Sequence, residues 1–127
     1  MTISQVYAHY RIMPGLQLHM YRVTAVGLTI LDHWRGPAIN RDLITQTLIL
    51  HDIGNIIKFD LDGQPRWLKV KQDFIRRYGL DEYQATLKIA RELNMPKSIL
   101  YLLAHLNSPN LPQVAKSTNW PLKLAAY

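Results

Sequence analysis

His51 and Asp52 stand side by side in LILHDIGNI, residues 48–56, with aliphatic residues on both sides. An ionised carboxylate taken out of water without a partner costs several kcal/mol, so Asp52 demands a cation, a strong donor or a route to solvent. On a helix, Ile44, Leu48 and His51 fall at i, i+4 and i+7 and share one apolar face, with Asp52 one residue round. Earlier, His19, Val23, Val26 and Ile30 recur at i, i+4, i+7 and i+11, which predicts a second core-facing histidine. Two inward imidazoles and one inward carboxylate form a borderline-to-hard ligand set suited to one divalent Mn, Fe, Co, Ni or Zn ion, whose charge would offset the desolvation of Asp52. The bland arrangement of the same residues is a hydrogen-bonded core His19 and an Asp52 paired with Lys58 or a backbone donor. No cysteine is present. Disulfides, thiolate ligation and a cysteine nucleophile are therefore excluded, and any metal must be held by histidine and carboxylate.

The elements that must position these groups read as helices throughout, because Val23, Val26, Ile30 and Trp34, and again Phe74, Ile75 and Tyr78, recur at helical steps. A first helix is expected over Ile3 to Ile12, stopping at Met13-Pro14-Gly15, and a second from Leu16 to Trp34, ended by Arg35-Gly36-Pro37. Asn40 offers an N-cap for a third helix carrying LITQTLILHD, and Gly54 closes or kinks it. NIIKFDL continues as a short helical or irregular segment before the loop DGQP. A fourth helix spans Trp67 to Tyr78 with Gly79 beyond it, Asp81 caps a fifth, and KSILYLLAHL forms a sixth. After the loop NSPNLPQ, a last apolar helix starts at Trp120 and stops uncapped at Tyr127. The expected fold class is all-α, a single-domain helical bundle over residues 1–127, truncated at its C-terminal end.

With 127 residues, 48% hydrophobic and 19% charged, the chain is long enough for one core. No apolar stretch has the length and freedom from charge of a membrane span, and MTISQVYAHYRIM lacks the regions of a signal peptide, so a cytoplasmic location is the expectation. Fifteen Lys and Arg against nine Asp and Glu give a formal charge of +6, which favours anionic ligands. Lys69, Lys71, Arg76, Arg77, Lys88, Arg91 and Lys97 are scattered at helix-surface spacings, however, and read as a solvated face. Trp34, Trp67 and Trp120 lie beside apolar faces and make no aromatic-plus-basic stripe, so nucleic acid is not an expected partner.

His19 in LQLHMYRV, followed about thirty residues later by the doublet His51-Asp52 in LILHDIGN, resembles the HD domain superfamily of metal-dependent phosphohydrolases. The resemblance covers most of the chain from His19 onward. It implies a metal set of His19, His51 and Asp52 completed by an aspartate on a late helix. Here the corresponding segment is PLKLAAY, and it reaches Tyr127 without that residue, so either the aspartate lies beyond Tyr127 or the form is truncated and inactive. Relatives with two metals carry further histidines after the doublet. In this chain only His105 follows, on the face of Ile99, Leu102 and Leu106, and Tyr83 stands where some relatives have histidine. One metal is therefore expected, and His105 is read as structural.

The resemblance further implies hydrolysis of a phosphate ester, of a nucleotide or small phosphomonoester, by a metal-activated water. Asp52 and Lys58 would act in catalysis, and Arg22 and Lys58 would bind the phosphate. Asp60 and Asp62 follow the doublet but serve equally well as loop and cap residues. Alarmone hydrolases carry an acidic pair near the positions of Asn55 and Ile56, which lowers that substrate class. The main alternative is a catalytically incomplete HD-like module that senses a nucleotide or a protein partner. Two histidines and one carboxylate are also the ligand set of non-haem iron oxygenases, on a different scaffold. The shortness of the chain raises the expectation of a homo-oligomer whose partner subunit completes the site.

Overall fold

Caps and prolines set where each helix begins. Thr2 accepts from the Gln5 N–H while the Gln5 side chain accepts from the Thr2 N–H, a reciprocal cap that opens α1, Ile3–His9. Pro14 opens α2, Pro14–Asp32, where its missing N–H costs nothing. Asn40 accepts from the Leu43 N–H at the start of α3, Arg41–Leu50. After a short 3-10 helix, Asn55–Lys58, come α4, Pro65–Tyr78, α5, Glu82–Glu92, and α6, Lys97–His105. Asp81 caps α5 by accepting from the N–H groups of Tyr83 and Gln84. This computed structural model describes residues 1–106 and has no strand among them. The bundle is all-α. The loop NSPNLPQ, the helix expected from Trp120 to Tyr127, and Trp120 itself lie outside the described residues.

Two helices end in left-handed residues that carry a side chain. In α1 the Ile12 N–H reaches the Tyr7 carbonyl at 2.9 Å and the Arg11 N–H reaches the Ala8 carbonyl at 3.1 Å, with Arg11 at φ +52°. This Schellman closure stops α1 three residues before the expected end at Ile12, and it turns Ile12 and Met13 back into the core. Asn94, at φ +56°, closes α5 the same way through the bond from the Met95 N–H to the Ala90 carbonyl. Gly79, at φ +89°, ends α4 in a conformation that glycine adopts without strain.

The expected core stripe of α2 is corrected by the structure. Leu16, Met20, Thr24 and Gly27 face inward, whereas Val26 is 60% and Ile30 37% exposed. The reason is the close crossing of α2 over α3: a Cβ on Gly27 would lie 2.3 Å from Leu48 Cδ1, so the smallest residue marks the contact. Thr24 satisfies its buried hydroxyl by donating to the Met20 carbonyl at 2.7 Å. Rotating the stripe in this way leaves His19 at the edge of the α2–α3 seam, with Val23 only half-buried.

The main core gathers Tyr7, Leu16, Met20, Leu50, Ile53, Ile56, Leu61, Phe74 and Ile89. Each fully buried aliphatic side chain contributes about 1.5–3 kcal/mol. The Tyr7 hydroxyl donates to the Ile49 carbonyl, and the hydroxyls of Tyr10 and Tyr78 both donate to Glu92, so these large phenols are buried without an unmet polar end. Leu87, Ala90, Ile99 and Leu103 form a smaller core between α5 and α6. Trp34 packs on Ile44 and Leu48, and Trp67 on the main core, as their spacing predicts. No helix among the described residues is long and apolar enough to cross a membrane.

Candidate metal centre

Where α3 ends, the chain turns three times in quick succession before the 3-10 helix, and this turn carries the centre. His51 is the C-cap of α3 in an α-helical conformation, the Ile53 N–H bonds the Leu50 carbonyl, and the Asn55 N–H bonds the Asp52 carbonyl at 2.9 Å. The turn is pressed against α5. The Gly54 N–H donates to Thr86 Oγ1 at 3.0 Å, and that hydroxyl donates in turn to the Glu82 carbonyl at 2.9 Å. The packing explains the glycine: a Cβ at residue 54 would meet the Glu82 carbonyl oxygen at 2.5 Å.

Asp52 is thereby aimed back at α2. Its Oδ2 lies 2.8 Å from His19 Nε2 and 3.1 Å from His51 Nε2, and the three ligand atoms all fall within 4.8 Å of one another. Two ligands about 2.1 Å from one ion stand about 3.0 Å apart at right angles and about 3.4 Å apart at the tetrahedral angle. The donor set and its spacing therefore fit a small divalent ion. His51 Nδ1 donates to the Leu48 carbonyl at 2.5 Å, which fixes a proton on Nδ1 and leaves Nε2 as the nitrogen that faces Asp52, donating to the carboxylate when protonated and offering its lone pair to an ion when not.

Burial alone would push the Asp52 carboxyl up, but the hydrogen bonds and charges of His51 and then His19 outweigh it and hold the pKa below the ordinary 3.8. For His51 burial acts downward, and the hydrogen bond and charge of Asp52 together with the Leu48 carbonyl overcome it, so its pKa rises above 6.5. The two opposite shifts favour a charged His51 beside a charged Asp52.

The expected residues are placed unevenly. His19, His51 and Asp52 are brought together, although the His19 side chain is 49% exposed and not core-facing as its spacing predicts. Arg22, one turn beyond His19 on α2, is exposed and has no ion-pair partner among the described residues. Lys58 does not pair with Asp52. Its Nζ lies 2.7 Å from Glu82 Oε1 and 5.5 Å from the centre of the Tyr83 ring. Its pKa is raised, first by Glu82, then by Tyr83, with a further contribution from the charge of Asp52. Asp60 accepts from the Asp62 N–H, a loop role. His105 is spent locally, with Nδ1 on the Tyr101 carbonyl and its ring against Tyr101. Glu82 and Thr86 are the participants that sequence reasoning missed: both read as ordinary first-turn and mid-helix residues of α5, and neither carries a local signal for a partner some thirty residues away.

No protein-family model matches the chain, and no curated protein or solved structure matches it either.

Proposed function

We propose that the chain is a phosphohydrolase of the HD type, dependent on one divalent metal ion and acting on a phosphate monoester of nucleotide or similar size. The observation that supports this most is the convergence of His19 Nε2, His51 Nε2 and Asp52 Oδ2, with the His51 tautomer set for ligation by the Leu48 carbonyl. A divalent ion bound there supplies a water of lowered pKa and polarises a phosphoryl oxygen. The remaining work belongs to the protein. Asp52 offers the negative charge that makes the trio selective for a cation, and the Gly54–Thr86 bond keeps its turn fixed. Arg22, exposed one turn beyond His19, would receive a phosphate by charge-assisted hydrogen bonds. Lys58, held by Glu82, adds positive potential near the centre and reaches an ester only by leaving that carboxylate.

The test is hydrolysis of p-nitrophenyl phosphate and a panel of nucleoside monophosphates by protein loaded separately with Mn, Co, Ni and Zn. Arg22→Gln is expected to raise KM about tenfold or more, the value of one lost charge-assisted contact, with kcat changed by less than about threefold. An unchanged KM removes Arg22 from the site. Metal binding without turnover of any ester in the panel would transfer the reading to a sensor module built on the same centre.

A further inference from the structure

A second site lies where α1, the start of α2 and the start of α4 meet, in a cleft of about 430 Å3 that none of His19, His51 and Asp52 lines. Ligand-binding clefts fall in the range of about 300–1,000 Å3. Tyr7, Ile12 and Trp67 give it an apolar and aromatic wall, and Arg11, Arg66 and Lys69 stand among its lining residues. No carboxylate among the described residues lines it. Arg66 and Lys69 have no ion-pair partner among the described residues, while Arg11 has only Asp73, at 3.6 Å. The Arg66 guanidinium lies 5.3 Å from the Trp67 ring centre, so a cation and an aromatic plane already adjoin each other. Arg11 lines the cleft from the left-handed position that closes α1. The Gln17 amide donates to the Ile12 carbonyl at 2.8 Å and the Tyr7 hydroxyl to the Ile49 carbonyl, so the charged groups in the lining are the cations alone.

Like charges gathered round an apolar concavity repel one another unless an anion joins them. An organic monophosphate carries about −1.5 to −2 charges near neutral pH, which matches three cations less the share of Arg11 taken by Asp73. A flat aromatic body matches the half-buried Trp67 ring. We infer that this cleft binds a nucleoside monophosphate as a ligand that is held and not transformed, because it contains no free acid, base or nucleophile. The site is independent of the metal centre and of the hydrolase reading.

The experiment is calorimetric titration of adenosine monophosphate into the full chain carrying His51→Ala and Asp52→Ala, and in parallel into the parent protein with chelator, so that binding at the centre contributes nothing and a misfolded variant is recognised. Saturable binding with Kd below about 1 mM is expected, with adenosine and inorganic phosphate each weaker by about tenfold or more. Arg66→Glu/Lys69→Glu, both on exposed positions, is expected to weaken it by at least about tenfold. Absent saturation below about 1 mM, equal binding by the double variant, or phosphate bound as tightly as the nucleotide would each overturn the inference. So would an oligonucleotide that binds with a steep salt dependence while the mononucleotide does not.

Discussion

Asp52→Asn is expected to lower metal affinity by at least about 100-fold and to take hydrolysis with it, while the protein stays folded. Disturbing only the groups that orient metal ligands costs 10–100-fold, and here the sole charged ligand is removed. The asparagine keeps the shape of the side chain but offers a neutral amide to two imidazoles that both point Nε2 at Oδ2, at 2.8 and 3.1 Å. The metal-free protein carries a separate signature. Asp52, with its carboxyl held below 3.8, contributes stability that is present above 3.8 and lost as pH falls through the lower folded value. His51, raised above 6.5, contributes stability that is full below 6.5 and lost as pH rises through the higher folded value. The pair therefore supports the fold most between 3.8 and 6.5. The difference in Tm between metal-free parent and Asp52→Asn should be greatest near pH 5 and shrink as pH rises past 6.5 and through the raised His51 pKa. A gap that widens in alkali, or a variant that hydrolyses at the parent rate, would refute the assignment of Asp52.

Gly54→Ala is the second change with a large expected effect, and it acts on the scaffold of the same turn. The backbone of Gly54, at φ −82° and ψ 1°, is open to alanine, so the cost is steric. The new methyl would meet the Glu82 carbonyl at 2.5 Å, Thr86 Oγ1 at 2.9 Å and Ala85 Cβ at 3.0 Å. A carbonyl in a helix cannot swing aside as a side-chain end can, so α5 must move away from the turn and the Gly54–Thr86 bond is lost. Overpacking costs about 1–3 kcal/mol and a buried N–H left without an acceptor a further 1–3, giving about 2–6 kcal/mol in urea unfolding. Thr86→Val keeps the volume and removes the acceptor, together with the hydroxyl's own bond to the Glu82 carbonyl, for about 1–3 kcal/mol. If the crowding were not real, Gly54→Ala would instead stabilise by about 0.4–1 kcal/mol through the unfolded chain. Gly27→Ala is the milder contrast, since the atom in its way is the end of the Leu48 side chain.

The parts of the fold that are written locally were legible. Asn40 and Asp81 cap helices where their side chains predict, Gly79 ends α4, and the all-α class follows from the spacing of apolar residues. What the sequence hid was set by contacts between elements. The α2–α3 crossing is made by Thr24 and Gly27, which carry no apolar signal, so the stripe through Val26 and Ile30 pointed the wrong way round the helix. Arg11 closes α1 in a conformation that its residue type does not advertise. At the centre, a carboxylate inside an aliphatic run was enough to single out His51 and Asp52, and His19 was reached through its stripe with Val23, Val26 and Ile30, which the structure turns out of the core, and again through the resemblance to HD domains. The pairing of Lys58 with Glu82 and of Gly54 with Thr86 required the fold. The late-helix aspartate expected to complete the ligand set concerns the segment outside the described residues.

The central claim is that His19, His51 and Asp52 hold one divalent ion. It is met most directly by titrating Mn2+, Co2+, Ni2+ and Zn2+ into chelator-stripped protein by calorimetry, in two buffers of different protonation enthalpy, beside a His51→Ala/Asp52→Ala variant whose fold is confirmed by circular dichroism. The account predicts one equivalent bound by the parent, with proton release at pH values below the raised His51 pKa because ligation needs the neutral imidazole, and none bound by the variant. A parent that takes up no ion, or a variant that binds as the parent does, would contradict it.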